Sequence, residues 1–221
     1  MLRYGIRERR AFLDQAAIDH RYIYHALKRL EDVILSVGGL ILLSPLLIGV
    51  AIAIKIDDKG PVFYRQERVG HRGKRFMMFK FRSMCVDAEE KLKELQKYNE
   101  VEGAMFKIKQ DPRVTRIGRF IRRYSIDELP QLFNVLAGDM SLVGPRPPLP
   151  RELKEYTEYD KQRLYVIPGC TGLWQVSGRN DVGFHEMVEL DLKYIRKSGF
   201  LYDLGIMLKT IKIMVFPNGA Y

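Results

Sequence analysis

The sequence predicts an α+β protein in three parts. A basic interfacial segment (residues 1–30) leads into a re-entrant membrane helix (31–56). A small, mostly helical cytosolic domain (57–221) follows, with a short antiparallel sheet and interfacial amphipathic helices. Three observations carry this expectation. Val33–Ile54 contains no charged residue, and a straight helix of that length would measure roughly 33 Å, enough to cross a bilayer. The formal net charge of +10 is gathered on both sides of it, from Arg3 to Arg29 before and from Lys55 to Arg82 after. Beyond Lys55 the texture changes to short alternating runs and then to helical periodicity.

The first part carries Tyr22, Tyr24, Ala26, Leu27 and Leu30 at helical spacing, and its arginines and tyrosines suit a membrane interface. In the second, Ser44-Pro45 lies at the centre of the apolar run. Proline removes one hydrogen bond from a helix and bends it, and Ser44 can bond the carbonyl so released. Basic flanks prefer the cytoplasmic side. A helix that enters, turns at Ser44-Pro45 and leaves by the same face satisfies both flanks; a plain span is the alternative.

In the third part, Gly60–Gly70 and Phe76–Met84 read as strands around a Gly70-His-Arg-Gly73 turn. Lys80 and Arg82 share one face of the second strand, where they can bind an anion or simply guard an edge. Asp87–Tyr98 reads as a charged surface helix. Arg113, Arg116, Arg119 and Arg122 then recur at every third residue, a cationic face in which Arg113 is expected to be solvated. It leads to Asp127-Glu-Leu-Pro-Gln131. Proline fits the first turn of a helix, so Pro130 suggests a helix with Asp127 at its N-cap and Leu129, Leu132, Phe133 and Leu136 on its apolar face. A carboxylate pair there is ordinary capping, and Ser125…Glu128 matches a capping box. Beside arginines at a helix start, the same pair also suits pyrophosphate chemistry.

Two turn-rich loops follow. Gly138–Pro148 holds Arg146 in a stiff Gly-Pro-Arg-Pro frame, and Ile167–Asn180 carries the sole tryptophan and Arg179. Phe184–Lys197 reads as a helix bearing Asp191, and Leu201–Phe216 as an amphipathic helix able to lie on a membrane. Cys85 and Cys170 have no metal-ligand spacing and read as free thiols, and the four histidines give no zinc pattern. The charged first thirty residues do not form a cleavable signal peptide. Residues 83–221 show no nucleic-acid motif, so no nucleic-acid partner is expected.

Taken together, Lys28-Arg29…Asp32, Ser44-Pro45, Gly60-Pro-Val-Phe…Gln66…Arg68-Val-Gly70, Lys80-Phe-Arg-Ser-Met84, Asp111-Pro-Arg-Val114, Asp127-Glu-Leu-Pro-Gln131, Gly138-Asp-Met-Ser-Leu-Val-Gly-Pro-Arg-Pro147 and Pro168-Gly…Gly178-Arg-Asn180 closely resemble the bacterial sugar transferases. These are monotopic polyprenyl-phosphate phosphoglycosyl transferases. The resemblance runs from about residue 28 to the end.

It implies that Asp127 attacks the sugar-bearing phosphorus of a UDP-sugar, releasing UMP, and that undecaprenyl phosphate then takes the phosphosugar from an aspartyl intermediate. Such a step would initiate capsule, exopolysaccharide or O-antigen assembly. Glu128 would assist, Mg²⁺ would sit at Asp127, and Lys80, Arg82, Arg122, Arg146, Arg179 and Asp191 would bind or order the substrates. Ser44 and Pro45 would turn the membrane helix at the inner leaflet of the bacterial cytoplasmic membrane, with the site on the cytosolic face; a homo-oligomer is compatible. The competing expectation is a non-enzymatic, basic, membrane-anchored interaction module.

Overall fold

The computed structural model describes residues 12–95, 108, 111–177 and 183–216. A short helix, α1 (Gln15–Asp19), is capped by the Asp14 carboxylate, which accepts from the Ala17 amide at 3.1 Å. It precedes α2 (Tyr22–Asp57), a helix of 36 residues long and apolar enough to cross a membrane. The helix starts well before the uncharged run because nothing between Tyr22 and Glu31 opposes helical backbone. It also continues through Ser44-Pro45. Proline at 45 leaves the carbonyl of Ile41 without its amide partner, and the Ser44 hydroxyl donates to that carbonyl at 2.8 Å. The ladder is repaired in place by the neighbouring side chain.

Both ends of α2 dock on the domain that follows. At the N-terminal end Lys28 Nζ lies 2.8 Å from Asp203 Oδ2, and Arg29 donates to the carbonyls of Val135 (2.5 Å) and Leu136 (2.8 Å). Asp32 is buried and accepts from the Ser141 hydroxyl and the Leu142 amide. At the C-terminal end Val50 and Ile54 enter a core with Phe81, Ile121 and Ile126. Between these anchorages Ile34, Leu35, Val37, Ile41, Leu42, Leu46, Ile48 and Ile52 are exposed.

Strands β1 (Phe63–Val69) and β2 (Arg75–Phe81) form an antiparallel ribbon with Tyr64 opposite Lys80. Helix α3 (Ala88–Leu95) follows, held by ion pairing of Lys91 with Asp87 at 2.7 Å. Helix α4 (Arg116–Arg123) starts at Thr115, whose hydroxyl accepts from the Gly118 amide at 2.9 Å. It ends where Ser125 turns left-handed, with φ of 55°. A single 3-10 turn, Ile126–Glu128, comes next, and then α5 (Gln131–Ala137) with Pro130 at its N-cap. Asp127 therefore does not cap the helix, contrary to the expectation from the sequence. The left-handed step at Ser125 spends the first two acidic positions on a separate turn. Neither Ser125 nor Pro130 makes a side-chain cap, which also removes the capping-box reading. Gly138, with φ of 86°, closes α5 in the left-handed conformation that glycine tolerates best.

The second sheet was not legible in the sequence. Strands β3 (Ser141–Val143) and β4 (Gly169–Thr171) pair in parallel, joining the two loops that carry Arg146 and Trp174. A side chain at Gly144 or Gly169 would collide with the backbone of the other loop, so these glycines set the close approach. Helices α6 (Pro150–Leu153) and α7 (Glu158–Lys161) cross between the strands. The chain ends in α8 (Leu173–Ser177), α9 (Phe184–Lys197) and α10 (Phe200–Val215). Val143, Leu173, Val188, Leu192, Tyr194, Ile195 and Ile206 bury the largest core between them. The outer face of α10 leaves Leu201, Leu204, Leu208, Ile211 and Val215 exposed.

Candidate active site

The site is assembled by one buried asparagine. Asn134 of α5 accepts from the Phe79 amide at 2.9 Å and donates to the Met77 carbonyl at 2.8 Å. It completes backbone groups of β2 that no other strand reaches, and so locks α5 to the ribbon in one register. The adjacent residue Lys80 then reaches the 3-10 turn, where its Nζ lies 2.6 Å from Glu128 Oε1.

A cleft of about 180 Å³ opens there, lined by Lys80, Ser125, Asp127, Glu128 and Gln131 together with Arg68, Arg146, Gly169, Trp174 and Gln175. The two adjacent carboxylates differ in setting. Glu128 is 41% exposed and ion-paired, whereas Asp127 is buried. Burial pushes the Asp127 carboxyl up to about 6 from 3.8; Glu128 adds to the rise, and Lys80 and Arg122 oppose it. A carboxylate held in that way is poorly solvated yet surrounded by cations, a setting typical of reactive rather than capping groups. The left-handed Ser125, two residues before Asp127, belongs to the same picture, since backbone in sparsely populated regions gathers at functional sites.

The Arg146 loop is gripped from both sides. Arg68 of β1 donates to the Pro147 carbonyl at 3.0 Å, and Arg163 donates to the Arg146 carbonyl at 3.1 Å. Arg163 is in turn fixed by Asp191, at 2.6 Å, and by the Tyr156 hydroxyl. These bonds aim the Arg146 side chain, which makes a long 3.8 Å contact with Glu152.

The sequence-predicted residues thus separate into groups. Asp127, Glu128, Lys80 and Arg146 meet in the cleft, and Arg122 lies close enough to act on the charge of Asp127. Asp191 is fully buried and reaches the cleft only through Arg163 and the Arg146 loop. Arg82 is turned away: its guanidinium bonds the Asp58 carboxylate (2.6 Å), the Asp58 carbonyl and the Pro61 carbonyl, tying the end of α2 to β2. Arg82 lies just past the last residue of β2, so the alternation that put it on the face of Lys80 has ended. Arg179 falls outside the described residues. Arg113 is buried rather than solvated, with its guanidinium bound along one edge to Asp111. Arg68, Trp174 and Gln175 were not singled out from the sequence; the Arg68-Val-Gly70 motif was the available signal for the first.

Among the described residues no three His, Cys, Asp or Glu side chains gather as a metal nest. The donor set at Asp127 suits Mg²⁺ nevertheless, because that ion is commonly held by one or two carboxylates together with substrate phosphates.

The class defined by this architecture is an α+β domain carried on a bilayer-length apolar helix, with paired carboxylates in a cationic cleft. The family described as bacterial sugar transferase matches residues 23–217, and the chain belongs to it. It is 46% identical over 202 residues to the galactosyl transferase CpsE of Streptococcus agalactiae serotype III (strain NEM316), covering 91% of this chain and 45% of that one. It is 47% identical over 199 residues to the undecaprenyl-phosphate galactose phosphotransferase of Salmonella typhimurium, covering 88% and 42%. Over 198 residues it is 42% identical to the exopolysaccharide production protein ExoY of Sinorhizobium fredii, covering 88% of each. The chain therefore spans less than half of the first two relatives and most of the third.

Proposed function

We propose that this protein transfers a hexose 1-phosphate from a UDP-sugar to undecaprenyl phosphate through a phosphosugar ester of Asp127, an early step of surface-polysaccharide assembly. The observation that carries the reading is a buried carboxylate, raised to about 6, among cations in a cleft. At neutral pH it is mostly ionised and lightly solvated, which suits a nucleophile. Its oxygen attacks the sugar-bearing phosphorus, the bond to the bridging oxygen breaks, and UMP leaves with that electron pair. An oxygen of undecaprenyl phosphate then attacks the same phosphorus, and the Asp127 carboxylate departs. Phosphoryl transfer asks mainly for positioning and charge compensation, which Lys80, Arg122 and Arg146 supply. Mg²⁺ held by Asp127, with Glu128 near, would neutralise phosphate charge.

Helix α2 supports a membrane placement. The helix offers its apolar middle to the outside while charged or polar groups near each end bond the same water-soluble domain. A plain span would need one end on the far side of the bilayer, away from that domain. A re-entrant course bent at Ser44-Pro45 keeps both ends together, and basic flanks favour the cytosolic face. The exposed leucines of α10 would lie in the same interface. The name of the Salmonella relative supports the lipid acceptor, that of the Sinorhizobium relative the polysaccharide context, and that of the Streptococcus relative a hexose as the group transferred. The test is UMP release from UDP-galactose or UDP-glucose: it should require undecaprenyl phosphate for continued turnover. No release with either donor would refute the reading.

A further inference from the structure

Three polar atoms of residues that line the cleft are buried without a hydrogen-bond partner: Arg68 Nε, Trp174 Nε1 and Gln175 Oε1. Leaving one such group unmade costs about 1–3 kcal/mol, and such groups in a native fold call for an explanation. Three around one cleft is a concentration, and all three side chains line the same opening. Arg68 is itself only 5% exposed. Its two terminal nitrogens are already committed, to the Pro147 carbonyl at 3.0 Å and to Gln66 Oε1 at 2.6 Å, which fixes the guanidinium plane. Burial, with the neighbouring Arg146 charge adding to it, lowers the Arg68 pKa to about 10. Two guanidinium groups that disfavour each other beside a cleft are reconciled by an anion between them.

The other two atoms add a different demand. Trp174 offers a donor and Gln175 an acceptor, on consecutive residues of α8. A phosphate has only acceptors for such a wall, so it leaves Gln175 unanswered. A uracil ring presents a carbonyl next to an N–H, which answers both at once. Cytosine has no proton on the corresponding ring nitrogen and would place a lone pair against Gln175.

We infer that Arg68, Arg146, Trp174 and Gln175 form the seat of the leaving nucleotide, the arginines taking its phosphate and Trp174 with Gln175 reading the edge of a uracil base. This rests on the proposed UDP-sugar reaction and assigns the half of the donor that departs.

Trp174 is the only tryptophan in the chain, so its emission reports this wall alone. The full chain in lipid nanodiscs, without undecaprenyl phosphate, is titrated with UMP, CMP, inorganic phosphate and galactose 1-phosphate. UMP should change the Trp174 emission saturably, with CMP at least about tenfold weaker and the other two weaker still. Gln175→Leu should erase the preference for UMP over CMP while phosphate binding persists. Arg68→Gln should weaken UMP and inorganic phosphate together. If UMP acts no better than inorganic phosphate, or if Gln175→Leu keeps the UMP preference, the assignment is overturned. A larger response to galactose 1-phosphate than to UMP would also overturn it, placing the sugar there instead. Because the titration needs no turnover, its failure alongside continued UMP release would reject this seat and leave the reaction standing.

Discussion

Lys80 of β2 and Glu128 of the 3-10 turn approach to 2.6 Å, and this contact sets the charge felt by Asp127. Lys80 holds the Asp127 carboxyl down, while Glu128 pushes it up. The two neighbours should therefore move the acid limb of the half-reaction in opposite directions. The ionised carboxylate is the nucleophile, so it is present above about pH 6 and lost as pH falls through that value. Lys80→Gln should shift the limb to higher pH and Glu128→Gln to lower pH, as read from rapid-quench UMP bursts. A common direction, or no shift, would contradict the assigned environment.

The arginine series gives a second expectation. Arg113→Ala should destabilise the fold, because it strands the half-buried Asp111 carboxylate; breaking a fully buried pair costs roughly 3–5 kcal/mol, and this one should cost less. Arg122→Ala should leave the melting temperature nearly unchanged and lower the rate at least about tenfold, the value of one charge-assisted contact of roughly 1.5–3 kcal/mol. Thermal melts paired with turnover measurements separate the two. Equal activity losses at equal stability would dissolve the distinction.

These contrasts mark what the sequence could and could not carry. The apolar run, the first ribbon and the last two helices were legible because each rests on local periodicity. Pro130 correctly placed a helix start nearby, and the Ser44 bond to the carbonyl freed by Pro45 was foreseeable from proline chemistry alone. The left-handed Ser125 was not, since a positive φ at a serine leaves no mark in the local pattern. Nor was the β3–β4 pair, whose two short strands have no alternation to display and meet only through Gly144 and Gly169. Arg113 and Arg122 belong to one repeat in sequence. Their fates diverge because Asp111, two residues before Arg113, claims it.

Asp191 offers a third test. It holds the buried Arg163, which in turn bonds the Arg146 carbonyl. Asp191→Asn should destabilise the chain by several kcal/mol, as one member of a buried pair is left charged. Replacing both, as Asp191→Leu with Arg163→Met, should recover much of that stability. Activity should stay low, with the donor KM raised, because the loop presenting Arg146 has lost one of its two anchors. Full recovery of KM in the double variant would show that Arg163 does not position the loop.

The course of α2 can be read in cells. With Gly5→Cys, a membrane-impermeant maleimide should label that position only after lysis, and Pro45→Ala should increase labelling of intact cells by favouring a straight helix. Ready labelling of the single variant would establish a plain span.

The central claim concerns a covalent bond, so the most direct measurement is intact-protein mass spectrometry after mixing with a UDP-hexose in the absence of undecaprenyl phosphate. The account predicts a hexose-phosphate adduct on Asp127, one UMP released per protein, and neither in Asp127→Asn. Full turnover with lipid acceptor, together with no adduct and no acceptor-independent UMP, would contradict it and require direct transfer from donor to lipid.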